Sequence, residues 1–240
     1  MPGILYVIPT PLDGSAEESL PVSVLLTVRS LRDFAVENAK TARVFLKSIE
    51  MPCPMQDLRI STLEDDVSSH IRKLKEGSSL GLLSEAGCPA IADPGAELVD
   101  AAHAEGIRVV PLIGPSSIVL ALMASGLEGQ RFAFCGYLPR DPEGRKRRIR
   151  ELESRSRRER ETQVFIETPY RNDALLASLL EVSSEKTLLC LATDLTLATE
   201  RIQTRSVAQW RGAGHTIGKR PTVFLLLSVE GQPGARHKLK

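Results

Sequence analysis

Short apolar runs alternate along the first half of the chain with longer stretches in which apolar side chains recur at the spacing of one helix face. Residues 4–8 make the first run, which stops at Pro9-Thr10-Pro11 and passes into a polar Asp13-Gly14 turn. Helical spacing over 22–31 and 41–49 brackets a short strand at 32–36, and another strand is expected at 57–60. Residues 66–76 carry a helical stripe of Val67, Ile71 and Leu74 that ends at Gly77. Leu80, Leu82 and Leu83 then feed the turn Ser84-Glu85-Ala86-Gly87-Cys88-Pro89. Asp93-Pro94-Gly95 opens a helix with Leu98, Val99, Ala102 and His103 on one stripe. After Gly106, a strand at 108–113 enters Gly114-Pro115-Ser116-Ser117, where an apolar helix starts. Strands separated by helices are the grammar of a parallel sheet, whose ligands sit beyond the carboxyl ends of the strands. Both small-residue turns therefore fall on the expected ligand side.

Past Gly126 the pattern predicts strands at 131–137, 162–167, 187–192 and 221–229. A helix at 173–180 follows the turn Thr168-Pro169-Tyr170-Arg171-Asn172, while residues 200–203 fit a hairpin or a helix equally. Residues 140–160 read RDPEGRKRRIRELESRSRRER, in which basic residues outnumber acidic ones about two to one. As a helix this segment has a thin apolar stripe, Ile149 and Leu152, and an otherwise basic surface. That surface is either a solvated face laced by Glu/Arg pairs or a phosphate-binding one, with Arg145, Lys146, Arg147 and Arg148 as RNA contacts. The tail, 231–240, has no core-forming residue and is expected to be disordered.

With 240 residues the chain can bury one large core or two ordinary ones, and a net charge of +1 makes no global commitment to a polyanion. The four cysteines lie far apart without CxxC spacing, which suggests neither a zinc site nor a disulfide framework and points to a reducing cytoplasm. No apolar run is long enough for a bilayer and no signal segment precedes the first strand, so a soluble protein without a membrane partner is expected. There is no P-loop, GxGxxG, HExxH or GxSxG, and the four histidines are scattered. No metal and no Ser/His hydrolase chemistry is expected. What remains is a set of backbone-rich turns suited to a compact organic ligand.

The segments LYVIPTPLDG, SEAGCPAIADPG, VVPLIGPSS, RFAFCGYLP, VFIETPYR and LATDLT make the chain similar to the tetrapyrrole methylase family. Within it, the chain most resembles the branch that methylates ribose 2′-hydroxyls of small-subunit ribosomal RNA. The likeness implies an S-adenosylmethionine-dependent methyltransferase of α/β class built from two domains. These would be an N-terminal parallel-sheet αβα domain over residues 1–114 and a C-terminal mixed-sheet domain over 115–230, with the cofactor in the cleft between them. It also implies a homodimer and ribosomal RNA as partner. Methylation of a small molecule or tetrapyrrole, or a cofactor-binding paralogue without turnover, are the alternatives.

Carried over residue by residue, the likeness places Pro11 against the cofactor, the main chain of Ala86, Gly87 and Cys88 around its methionine moiety, and Ile91 packed on it. Ser116 and Ser117 would hold its carboxylate or ribose end, with Glu167 and Leu195 near the adenosine. The chain departs from the family at 13–21, 37–40 and 193–197, and at Tyr170, where the family has histidine. Those positions fall on loops expected to face the methyl acceptor. Glu37, Tyr170, Arg171 and Asp194 are the candidates for removing or orienting the acceptor's proton.

Overall fold

The structure, a computed structural model, describes residues 1–63 and 66–229; the tail segment 231–240 lies outside the described residues. The chain divides into two compact units, Met1–Ser116 and a second beginning at Ser117. The division falls two residues beyond the expected boundary, because Gly114 to Ser116 belongs with the first sheet and the new helix starts at Ser117.

The first unit contains β1 (Leu5–Ile8), α1 (Ala16–Ser19), α2 (Val22–Ser30), β2 (Asp33–Val36) and α3 (Ala39–Ser48). It continues with β3 (Arg59–Thr62), α4 (Val67–Lys75), β4 (Leu80–Leu83), α5 (Ala96–Ala104) and β5 (Val109–Pro111). All strand pairs are parallel, in the order β3-β2-β4-β1-β5. β2 and β4 are buried along their whole length, as expected for a sheet covered on both faces. One face packs Ile8, Phe34 and Leu83 against α2 and α3 through Val24, Val28, Phe45 and Leu46. The other packs Leu5, Ala35 and Leu82 against α4 and α5 through Ile71, Leu74, Leu98 and Ala102. His103 turns out to solvent, so the stripe of α5 is narrower than the sequence suggested. At the edge, Asp33 and Arg59 are register partners and form a two-pronged ion pair, whose Nε–Oδ1 arm is 2.6 Å.

The second unit contains α6 (Ser117–Ser125), β6 (Phe132–Tyr137), α7 (Pro142–Glu159), β7 (Thr162–Ile166) and α8 (Asn172–Val182). Then come β8 (Leu188–Thr193), β9 (Arg201–Ser206), α9 (Val207–Ala213) and β10 (Thr222–Leu227). Its sheet has the order β6-β7-β10-β8-β9, parallel between β6 and β7 and antiparallel elsewhere, so it is mixed. Phe165 and Phe224 stack at 5.8 Å in the core, and the Trp210 indole N–H donates to Leu189 O at 2.8 Å. The undecided stretch at 200–203 is strand β9, paired antiparallel along all of β8, and it runs into α9, which opens with a capping box of Ser206 and Gln209. Among the described residues no helix is long and apolar enough to cross a membrane.

Candidate functional site

At the carboxyl end of the first sheet, β1 and β4 run into loops that hold each other through main-chain bonds. Thr10 N–H donates to Gly87 O at 2.9 Å, and Gly87 N–H donates back to Thr10 O at 3.1 Å. The reciprocal pair fixes both the separation and the direction of the two loops. Gly87 is buried with φ at +78°, a conformation that side-chain-bearing residues rarely adopt, and a Cβ there would lie 3.2 Å from Leu12 Cδ2. Gly114, past β5, is required by contact, because its Cβ would come within 2.3 Å of Pro9 Cβ. The loops after β1, β4 and β5 are thus brought together by residues that have little or no side chain.

Around this junction Pro11 is half-buried, Ala86 is exposed, and Ser116 and Ser117 are half-buried, Ser117 being the first residue of α6. Ile91 is 50% exposed, so it is not a core residue. The Cys88 thiol donates to Pro115 O at 3.4 Å. Burial, with the Asp93 charge behind it, pushes the Cys88 thiol up, so it stays protonated and acts as a donor and not as a nucleophile.

Three carboxylates meet at the same sheet end. Glu37, directly after β2, accepts from Glu85 N–H at 3.0 Å through Oε2, and Thr41 Oγ1 lies 3.4 Å from Glu85 Oε1. Asp93 completes the group. Burial first, and then the charges of Glu37 and Glu85, push the Asp93 carboxyl up to about 6. The sequence marked Asp93 only as the start of α5. Its raised pKa depends on burial first and on Glu37 from the loop after β2, which no spacing along the chain could reveal.

In the second unit the corresponding chemistry lies where β7 and β8 end. Glu167 is buried; its Oε1 accepts from Thr168 N–H at 2.7 Å and pairs with Arg171, while Oε2 has no hydrogen-bond partner. Arg171 Nε also donates to Thr168 Oγ1 at 3.2 Å. Asp194, at φ +52°, accepts from Thr199 Oγ1 at 2.8 Å and from Arg220 Nε at 2.8 Å. Burial alone would raise the Asp194 carboxyl, but the hydrogen bonds from Arg220 and Thr199 outweigh it and hold the group below the usual carboxylate range. A carboxylate so engaged positions a loop better than it accepts a proton. Leu195 is 8% exposed and packs as core. Tyr170 projects from the turn Pro169–Arg171 with 79% of its surface exposed. Thr199 and Arg220, which hold Asp194, and Lys219, which lies over the Tyr170 ring, gave no signal in the sequence.

The basic helix α7 corrects the picture of an evenly basic surface. Arg145 is 7% exposed, with Nε donating to Ser178 Oγ at 2.9 Å and Nη1 to Arg140 O at 3.3 Å. Lys146 pairs with Glu181 at 2.7 Å and Glu143 at 3.5 Å, and Arg148 pairs with Glu151 at 3.1 Å. Arg147 is exposed. Arg145 is therefore a packing residue, and much of the cationic charge is matched within the protein. A cavity of about 370 Å³ lies at the other end of this unit, where Thr187 leads into β8, away from Asp194.

S-adenosylmethionine, which the sequence likeness implies, would find main-chain groups and no obstructing side chain at Ala86 and Gly87. The buried, unpartnered Glu167 Oε2 is an acceptor to spare for a hydroxyl or amino group. In these respects the residues fit the cofactor.

Comparison with known proteins agrees with this fit. The family model for tetrapyrrole (corrin/porphyrin) methylases matches residues 25–210. The ribosomal RNA small subunit methyltransferase I of Haemophilus influenzae is 31% identical over 237 residues, covering 96% of this chain and 80% of the relative. Among solved structures, the methyltransferase CobJ superposes with a TM-score of 0.61 at 16% identity, over 97% of both chains. The uroporphyrin-III-C-methyltransferase of Thermus thermophilus gives 0.55 at 18% identity, over 95% of this chain and 93% of that one. Small-residue loops locked at strand ends, a parallel sheet followed by a mixed one, and matches along most of the sequence lead to one conclusion: the chain belongs to the tetrapyrrole methylase family of S-adenosylmethionine-dependent methyltransferases.

Proposed function

We propose that this protein methylates a ribose 2′-hydroxyl of small-subunit ribosomal RNA, as a homodimer in the cytoplasm. The observation that carries this reading is the 31% identity, over 96% of the chain, to a relative named for small-subunit ribosomal RNA methylation. S-adenosylmethionine, when bound, supplies an electrophilic methyl carbon. Pro11, the main chain of Ala86, Gly87 and Cys88, Ile91, Ser116 and Ser117 hold it in this reading. Rigid loops suit this task, because most of the acceleration in a methyl transfer can come from holding the acceptor oxygen in line.

The acceptor hydroxyl must lose its proton as the oxygen–carbon bond forms. Asp93 is our candidate to take it, since a base that titrates near 6 is charged at neutral pH yet still basic enough to help. Glu37 holds the Glu85 loop that faces it. Asp194 and Arg171 position their loops, each being engaged by a neighbour of opposite charge. The test is incubation of the full chain with methyl-tritiated S-adenosylmethionine and small-subunit RNA from a strain lacking the gene. Label should enter the RNA; cofactor binding without any label in RNA, intact subunits included, would overturn the reading.

A further inference from the structure

α7 was the chain's evident candidate for RNA contact, yet its cations are largely spent on neighbouring carboxylates and on packing. The most exposed aromatic of the second unit among the described residues, Tyr170, lies elsewhere. Tyr170 is presented by the turn Pro169–Arg171, directly after Thr168, and its flanks are fixed. Proline sets the backbone on one side, and Arg171 is tied to Glu167 and Thr168 on the other. An exposed side chain on so rigid a support loses little further freedom when something lies against it.

A cation accompanies the ring. The Lys219 ammonium lies over the Tyr170 ring, 5.0 Å from its centroid, and has no ion-pair partner among the described residues. The loop that carries it is pinned to the same corner: Asn172 Nδ2 donates to Arg220 O at 2.7 Å, and Asp173 Oδ1 accepts from Ile217 N–H at 2.7 Å. Arg201, exposed and opposite Thr193 in the register, lies at the same end of the sheet. A ring 79% exposed, with an ammonium over it that has no carboxylate partner among the described residues, offers what one unstacked nucleotide calls for, a π-face to stack on and a cation for its phosphate.

We propose that Tyr170 and Lys219 form a nucleotide subsite for single-stranded RNA, Tyr170 stacking on a base and Lys219 meeting an adjoining phosphate. The inference rests on the RNA-methylating reading above and names where the strand is gripped. Duplex RNA cannot use the subsite, because its bases are already stacked on one another.

The full chain should be titrated, at several salt concentrations, with a fluorescent single-stranded RNA on the order of ten nucleotides long and with a duplex of equal length. Tyr170→Ala should weaken single-strand binding about tenfold, Tyr170→Phe should restore it, and neither should change duplex binding. Lys219→Gln should lower the salt slope by about one charge for single strands. Circular dichroism and calorimetric cofactor affinity should match wild type throughout, since Tyr170 is exposed. Unchanged single-strand affinity in Tyr170→Ala overturns the subsite alone. A wild-type chain that binds S-adenosylmethionine but no RNA overturns the RNA reading and the subsite together.

Discussion

Asp93 sits half-buried beside Glu37 and Glu85, and its environment has an energetic consequence as well as a chemical one. Its folded pKa, about 6, lies above the ordinary 3.8, so the folded chain binds the extra proton between those values. Stability contributed by this group therefore rises as pH falls from about 6 toward 4, and above 6 the charged carboxylate detracts from it. Asp93→Asn removes the charge without changing the size. It should raise stability by about 1 kcal/mol near neutral pH, the shift being discounted for solvent screening at a half-exposed group. It should also slow methyl transfer by about a hundredfold, the modest end of general-base effects. Urea unfolding at pH 5 and pH 7.5 beside initial rates checks both; an active, unaltered variant would remove Asp93 from the chemistry. Such a residue was illegible in the sequence, since its acidity is set first by burial and then by Glu37, neither of which local spacing shows. Gly87 was legible, because a glycine in a tight turn beyond a strand marks a backbone that must bend as other residues seldom do, or come close to a ligand.

Among the elements, α7 separates what local pattern reveals from what packing decides. Asp141 caps its start, accepting from Gly144 N–H at 2.6 Å. Its apolar stripe was readable, and Ile149 and Leu152 are core. That Arg145 lies against α8 was not, because the deciding partner is Ser178. Arg145→Ala should cost about 2 kcal/mol by leaving buried acceptors unpaired and a gap in the packing, whereas Arg147→Ala should stay within about 0.5 kcal/mol. Equal midpoints in urea for the two variants would contradict the buried role. β9 was left between hairpin and helix for a related reason: Arg-Ile-Gln-Thr-Arg-Ser has weak alternation, and its antiparallel pairing with β8 decides for the hairpin.

For the whole molecule, the strand and helix alternation of the first half could be read from the sequence, as could its change past Gly126, while the division into two units was implied only by the family resemblance. The sheet orders could not be read. β1 lies between β4 and β5 because of crossovers whose course is set by packing on both faces, and β10 enters the middle of the second sheet from the end of the chain. These orders matter for function, because they bring the loops after β1, β4 and β5 together, and Arg220 to Asp194. In the proposed reading the loops that most resemble the family hold the cofactor, and most of the departures face the acceptor. The central claim is therefore about the acceptor atom. The most direct measurement is nucleoside mass spectrometry of small-subunit RNA after reaction with the full chain and deuteromethyl-labelled S-adenosylmethionine. The account predicts a labelled 2′-O-methyl nucleoside; label confined to a base, or found only in a small molecule, would contradict it.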